Sequence, residues 1–244
     1  MWRIETIDMK PKYKRVLLKL SGEAFLGELE YGIDPKFISR LTSEIGEVAE
    51  TGAELAIVVG GGNIFRGAPA EKHGMDRATG DYIGMLATVM NSLALRDSFQ
   101  KKGIEARMMS ALQMPKVCEF YTHDRAIYQL AKGRIVIIAA GTGSPFQTTD
   151  TAAALRALEL NCNAVLKATI VDGVYDCDPK INQNAAKYDN LSHRQALTDG
   201  LKVMDATALS MCMEHKLPII VFNLLEHGNI KKVISSENIG TLVF

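Results

Sequence analysis

Three side chains stand out as able to handle phosphate. Lys19 closes an apolar run, Arg66 follows a glycine triplet, and Asp150 follows a threonine-rich loop. Moving a phosphoryl group asks little covalent chemistry of a protein. It asks for in-line positioning and for positive charge on the transferred group. Lys19 and Arg66 are suitable cations, and Asp150 can act as an anion that orients Lys19. Asp150 is equally well suited to capping a helix, since Asp is a preferred N-cap, and Thr149 could cap in its place. The two roles of Asp150 are compatible.

These residues belong to three glycine-bearing segments: Lys19-Leu20-Ser21-Gly22, the run GGGNIFRG at 60–67 with Gly61, Gly62 and Arg66, and the run GTGSPFQTTD at 141–150. Glycine lets backbone N–H groups approach phosphate oxygens, and a helix that starts after such a loop adds positive potential. One glycine triplet says little, because tight turns also need glycine. Three loops, each after a buried strand and two carrying a cation, are harder to explain as turns alone. The chain has no GxxxxGK[ST] run, no strand–GxGxxG–helix unit and no HRD or DFG pair, so P-loop enzymes, dinucleotide dehydrogenases and protein kinases do not fit.

Other candidates have plain structural explanations. Asp81 falls in the first turn of an expected helix, where an acid is favourable for dipole reasons alone. Arg96, Arg107 and Arg134 are by default solvated charges, Asp205 a helix cap, and Tyr175 and Thr169 loop and strand packing. Met85, Met90, Met108 and Met109 read as core. The five histidines show no metal spacing.

The elements that must position these residues are readable. Continuous apolar runs at Val16–Leu18, Ala56–Val59, Ile135–Ala140, Ala164–Leu166 and Ile219–Phe222 fit parallel strands buried on both faces. Between them, Asp34 and Pro35 open a helix with Phe37, Leu41, Ile45 and Val48 on one face and Gly52 as its end. A second helix is expected from about Thr79 to Lys102, with Ile83, Leu86, Met90 and Leu93 inward and Gly103 as its stop. Asp124–Lys132, Thr151–Leu160 and Asp205–Lys216 are further helices, and Gly173–Ser192 reads as loop. The alternation predicts an α/β protein, a three-layer α/β/α sandwich with a mainly parallel central sheet. Residues 1–13 read as an N-terminal extension and 14–244 as a single domain.

Composition fits this frame. Of 244 residues, 47% are apolar, and 28 Lys plus Arg balance 28 Asp plus Glu, which argues against general nucleic-acid binding. No apolar run approaches the roughly 20 residues a membrane span needs. The four cysteines, Cys118, Cys162, Cys177 and Cys212, form no CxxC pair. A cytoplasmic protein is expected.

The segments LLKLSGEA, VVGGGNIFRGA, GMLATVMNSLALRD, AAGTGSPFQTTDTAAALRALE, LKATIVDGVYDCDP and LKVMDATAL, together and in this order, resemble the bacterial UMP kinases of the amino acid kinase superfamily across about residues 14–244. The resemblance implies transfer of the γ-phosphoryl group of ATP to UMP, with catalytic roles for Lys19, Arg66 and Asp150. It implies ATP contacts at Lys19, Ser21, Gly22, Gly62, Arg66, Thr169, Tyr175 and Asp178. It implies UMP contacts at Gly61, Asp81, Thr142, Gly143, Ser144, Pro145, Phe146, Gln147, Thr148 and Thr149. The nine-residue loop Gly141–Thr149, longer than a phosphate turn needs, itself points to base recognition, with Thr142 near the base, Phe146 packed near it and Thr149 near the phosphate. Asp81 would take the ribose hydroxyls. Mg²⁺ would be held mainly by phosphate oxygens and water. The resemblance further implies a homohexamer with GTP as activator and UTP as inhibitor, and a GTP site at Arg96, Arg107 and Arg134. Two other readings stay open: a related kinase of a small carboxylate or carbamate, and a nucleotide-sensing regulatory protein.

Overall fold

The computed structural model describes residues 11–65, 74–179, 181–182, 184–235 and 237–244. Its centre is a sheet of nine described strands, in the order β4-β3-β5-β2-β1-β6-β10-β11-β9. The five apolar runs form its middle: β1 (Arg15–Leu20), β2 (Glu54–Val59), β5 (Ile135–Ala139), β6 (Ala164–Thr169) and β10 (Ile219–Asn223). All their pairings are parallel, as two-sided burial requires. β3 (Ala106–Ser110) and the short β4 (Glu119–Phe120) continue the sheet on one side. On the other, β11 (Thr241–Val243) runs antiparallel to β10 and parallel to β9 (Asn190–Leu191). Two further strands, β7 (Val174–Tyr175) and β8 (Lys187–Tyr188), form a small antiparallel ribbon.

Helices cover both faces, giving the three expected layers. The strand period of two divides the core accordingly. Val16, Leu18 and Leu20 of β1 join one apolar cluster with α1 (Pro35–Ala49), α2 (Arg77–Lys101) and α7 (Asn229–Ile234). Leu17 joins the opposite cluster with α3 (His123–Ala131), α4 (Thr149–Glu159), α5 (His193–Thr198) and α6 (Ala206–Glu214). Lys19 and Lys167 have the parity of Leu17 and Val165 and therefore point to the α4 side.

The helix caps follow the sequence closely. The Asp34 carboxylate accepts from Lys36 N–H at 2.8 Å and Pro35 is the first residue of α1. Gly52 and Gly103, both with positive φ, follow α1 and α2.

Four expectations are corrected. Gly173–Ser192 is not all loop, since it contains β7, β8 and β9. Helix α2 starts at Arg77, capped by Asp76, so Asp81 sits in its second turn, beyond the range of a helix-terminus effect. Its inward face is Met85, Thr88, Ser92, Leu95 and Phe99, while Leu86 and Met90 are 49% and 52% exposed. Small and polar residues turn inward here because the helix packs directly on a glycine loop. Met90 thus leaves the expected core, which keeps Met85, Met108 and Met109. Finally, α4 is capped by Thr148, whose hydroxyl accepts from Asp150 and Thr151 N–H, leaving the Asp150 side chain free of the capping role.

Of the expected extension, residues 11–13 are described: Lys12 N–H donates to Ile234 O at 3.1 Å and Tyr13 packs on the core.

Candidate active site

The carboxyl ends of the parallel strands bring the glycine segments together, at the edge where open parallel sheets bind ligands. β1 runs into Ser21-Gly22, β2 into Gly60-Gly61-Gly62, and β5 into Ala140–Gly143. The first two are interlocked. A Cβ on Gly22 would lie 2.5 Å from Gly62 N and 2.8 Å from the Gly60 carbonyl, so only glycine fits there. A Cβ on Gly61 would meet Gly84 O of α2 at 2.9 Å.

Side chains fix the glycine loop from the other side. Asn63 and Asn91, both fully enclosed, form a closed pair in which each amide donates to the other, at 2.9 and 2.7 Å. Their second donors go to Gly32 O at 2.8 Å and Gly60 O at 2.7 Å. Every N–H of the two amides is therefore used, which makes the buried pair stabilising rather than costly. One turn earlier in α2, the Thr88 hydroxyl accepts from Ala140 N–H at 2.8 Å, tying the third loop to the same helix.

Between α2 and the 141–149 loop lies an open cavity of about 130 Å³. Gly61, Asp81, Thr142, Ser144, Gln147, Thr148 and Thr149 line it, together with Phe65, Gly80, Gly84, Met85, Thr88 and Gly141. Of the residues expected around UMP, Gly143, Pro145 and Phe146 are not in the lining. Gly143 turns the loop with φ +83 against Ala111 O. Phe146 is 71% exposed and lies under the Arg77 guanidinium at 5.6 Å. Asp81 is held in place at one wall: its carboxylate accepts from Arg77 Nε at 3.0 Å and from Phe146 N–H at 2.7 Å. Thr142 makes a local turn, its hydroxyl accepting from Ser144 N–H at 3.2 Å.

Directly after Thr148 and Thr149 comes the charged centre. Lys19 Nζ stands 2.7 Å from Asp150 Oδ1, and Lys167 Nζ stands 2.9 Å from Asp150 Oδ2. Lys19 and Lys167 are register partners on β1 and β6. Burial pushes the Asp150 carboxyl up, but the two ammonium charges more than offset that and hold its pKa below the ordinary carboxylate value. Lys167 is lowered, by burial first, against the pull of Asp150. Lys167 also donates to Val203 O in the loop ahead of α6. At the start of α6, Asp205 caps Ala208 N–H at 2.8 Å and accepts from the hydroxyls of Thr148 and Thr151, so it joins the N-termini of α4 and α6.

Of the residues expected around ATP, Lys19, Ser21, Gly22, Gly62 and Thr169 lie at the carboxyl ends of β1, β2 and β6. Ser21 and Gly22 open a 3₁₀ turn, Gly22–Leu26. Thr169 ends β6, with its hydroxyl donating to Val171 O at 2.7 Å, and Tyr175 OH donates to Asp172 at 2.6 Å. Asp178 is exposed, and its carbonyl accepts from Ile181 and Asn182 N–H. Arg66 lies outside the described residues. Away from this edge, Arg96 and Arg107 line another surface cavity with Gln100 and Glu105. Arg134 pairs with Glu105 at 2.7 Å.

Lys167, Arg77, Asn63 and Asn91 were not singled out by the sequence. A signal existed for Lys167: a lysine inside the apolar strand AVLKAT, as Lys19 is inside RVLLKL, is unusual enough to imply a buried partner.

The fold and the cluster of cations around a buried aspartate define a phosphate-handling α/β protein, and residues 14–223 match the amino acid kinase family model. The chain belongs to that family. Within it, the chain is similar to the UMP kinase of Bacillus anthracis, with 41% identity, TM-score 0.91 and coverage of 95% of this chain and 96% of that one. It is also similar to the UMP kinase of Ureaplasma parvum, with 37% identity, TM-score 0.89 and coverage of 94% and 98%. The uridylate kinase of Archaeoglobus fulgidus is 29% identical, with TM-score 0.71 and coverage of 94% and 99%.

Proposed function

We infer that this chain is a nucleoside monophosphate kinase that transfers the γ-phosphoryl group of ATP to UMP, giving UDP and ADP. The observation that carries the reading is the adjacency of two features. An open cavity with a fixed carboxylate, Asp81, on one wall leads through Thr148 and Thr149 to the Lys19–Asp150–Lys167 centre. The close similarity to UMP kinases supports it.

In the proposed step, an oxygen of the UMP phosphate bonds to the γ-phosphorus while the bond from that phosphorus to the β,γ-bridging oxygen breaks, its electron pair leaving on ADP. Lys19 offers positive charge to the γ-phosphoryl oxygens, and Asp150 sets its direction. Gly22 and Gly62 present backbone N–H groups to the ATP phosphates, with Ser21 beside them. Arg66 is a further cation for the phosphate chain. Thr169, Tyr175 and Asp178 form the ATP nucleoside side. Asp81 accepts from the UMP ribose, and the loop from Thr142 to Thr149 reads uracil and holds the phosphate. Among the described residues no three His, Cys, Asp or Glu side chains are grouped to hold a metal ion, and Asp150 is taken by two ammonium groups. Mg²⁺ would come with ATP, held mainly by phosphate oxygens and water, and would supply positive charge to the phosphates.

We further propose self-association as a homohexamer, activation by GTP with Arg96, Arg107 and Arg134 at its site, inhibition by UTP, a cytoplasmic location and a place in pyrimidine nucleotide synthesis. No described helix is long and apolar enough to cross a membrane. For self-association, the support is a stripe of exposed apolar residues on α2, Tyr82, Leu86 and Met90, spaced four apart.

The test is ADP release with UMP, CMP, carbamate and N-acetylglutamate as acceptors. Uracil and cytosine present opposite hydrogen-bonding groups at positions 3 and 4, so the wrong base leaves buried polar groups unpaired. UMP should exceed CMP in kcat/KM by about 100-fold or more, with no turnover on the other two. Equal use of UMP and CMP would remove the proposed role of Thr142, and turnover of carbamate or N-acetylglutamate alone would overturn the acceptor assignment.

A further inference from the structure

Lys19 has a difficulty that Asp150 creates. An ammonium in direct contact with a carboxylate, both largely enclosed, has its field mostly cancelled at any distance beyond the pair. A Lys19–Asp150 pair alone would present little positive charge to an incoming phosphoryl group.

Lys167 answers this. Its ammonium meets the second oxygen of Asp150 at 2.9 Å, and its side chain is only 14% exposed. Parallel register sets Lys167 directly beside Lys19 on the neighbouring strand, with Asp150 between them on α4. Its other contact, the carbonyl of Val203, holds the ammonium in the protein. Two ammonium groups around one carboxylate leave one net positive charge. The carboxylate that faces this group from α6, Asp205, is bonded to Thr151 N–H and Ala208 N–H at the N-termini of α4 and α6. The positive ends of those helices offset it.

We propose that Lys167 is a positioning residue for phosphoryl transfer: by taking Asp150 Oδ2 it offsets the carboxylate, so that Lys19 is both oriented by Asp150 and left with net charge for the γ-phosphoryl group. This rests on the role given to Lys19 above. Lys167 acts through Asp150 and contributes nothing to UMP or ATP binding directly.

The experiment compares steady-state kinetics and thermal stability of the full chain and of Lys167→Met, Lys167→Arg, Asp150→Asn, the double variant Lys167→Met/Asp150→Asn, and Lys19→Ala. Lys167→Met should lower kcat by at least about tenfold, less than the 10²–10³ lost with a donor that touches the transition state, and leave both KM values within about threefold. Lys167→Arg should retain more turnover than Lys167→Met. The double variant restores the net charge, so its kcat should be no lower than that of Lys167→Met, a non-additive result that a purely structural lysine would not give. It also removes both buried partners together, so it reports on the proposal even where Lys167→Met fails to fold. Unchanged kcat in Lys167→Met, or losses that multiply in the double variant, would overturn the inference. Unchanged turnover in Lys19→Ala would instead overturn the site reading beneath it.

Discussion

At the scale of single residues, Asp81 shows how the fold prepares a polar contact. Its carboxylate is already satisfied by Arg77 and by Phe146 N–H, both within 3.0 Å. The group is fixed in direction before any ligand arrives, and in the proposed role a ribose would add to or replace those partners. Charge-assisted hydrogen bonds contribute about 1.5–3 kcal/mol each, so Asp81→Ala should weaken UMP binding by about tenfold or more. Calorimetric titration with UMP and, separately, with ATP checks this. Normal UMP affinity in the variant would make Asp81 a structural partner of Arg77 alone. Lys19 and Asp150 were legible in the sequence because a lysine at the end of an apolar run and an acid after a Thr-rich loop are conspicuous. The Asn63–Asn91 pair was not, since its meaning lies in contacts between residues 28 and 31 apart that no spacing rule reports, whereas Arg77 stands at the helical i,i+4 spacing from Asp81.

At the scale of elements, the glycine loops depend on close backbone approach. The 3₁₀ turn after β1 and the loop after β2 leave no room for a Cβ at Gly22, and the neighbours are backbone atoms that cannot swing aside. Gly22→Ala should therefore separate the two loops, destabilising the protein by about 1–3 kcal/mol and raising the KM for ATP more than that for UMP. Chemical denaturation together with kinetics tests it, and an unchanged midpoint would mean that the loops yield freely. The central strands and α1 were read correctly from sequence because continuous apolar runs and a capped amphipathic helix follow from local chemistry. Helix α2 departs from the apolar spacing of its sequence for a physical reason. It packs on glycine, so its buried side carries Ala87, Thr88, Asn91 and Ser92, while Leu86 and Met90 point outward. The short strands β7, β8 and β9 are held by long-range pairing and carry no periodic signal of their own.

At the scale of the whole molecule, α2 connects the candidate site to the surface. One side of it lines the cavity through Asp81, Gly84, Met85 and Thr88 and anchors two of the three loops. The opposite side exposes Tyr82, Leu86 and Met90. A second copy seated on that stripe would bear on the helix that shapes the candidate acceptor cavity. Leu86→Glu should reduce the assembled mass seen by light scattering while leaving the monomer folded by circular dichroism, and an unchanged mass would place the subunit contacts elsewhere. The central claim, that Lys19 brings charge to the phosphoryl group as it moves between ATP and the acceptor cavity, is tested most directly by the kinetics of Lys19→Ala. Its kcat should fall by about 10²–10³ while the KM for UMP stays within about threefold, because the ammonium acts mainly in the transition state. A rise in KM with turnover intact would contradict the account.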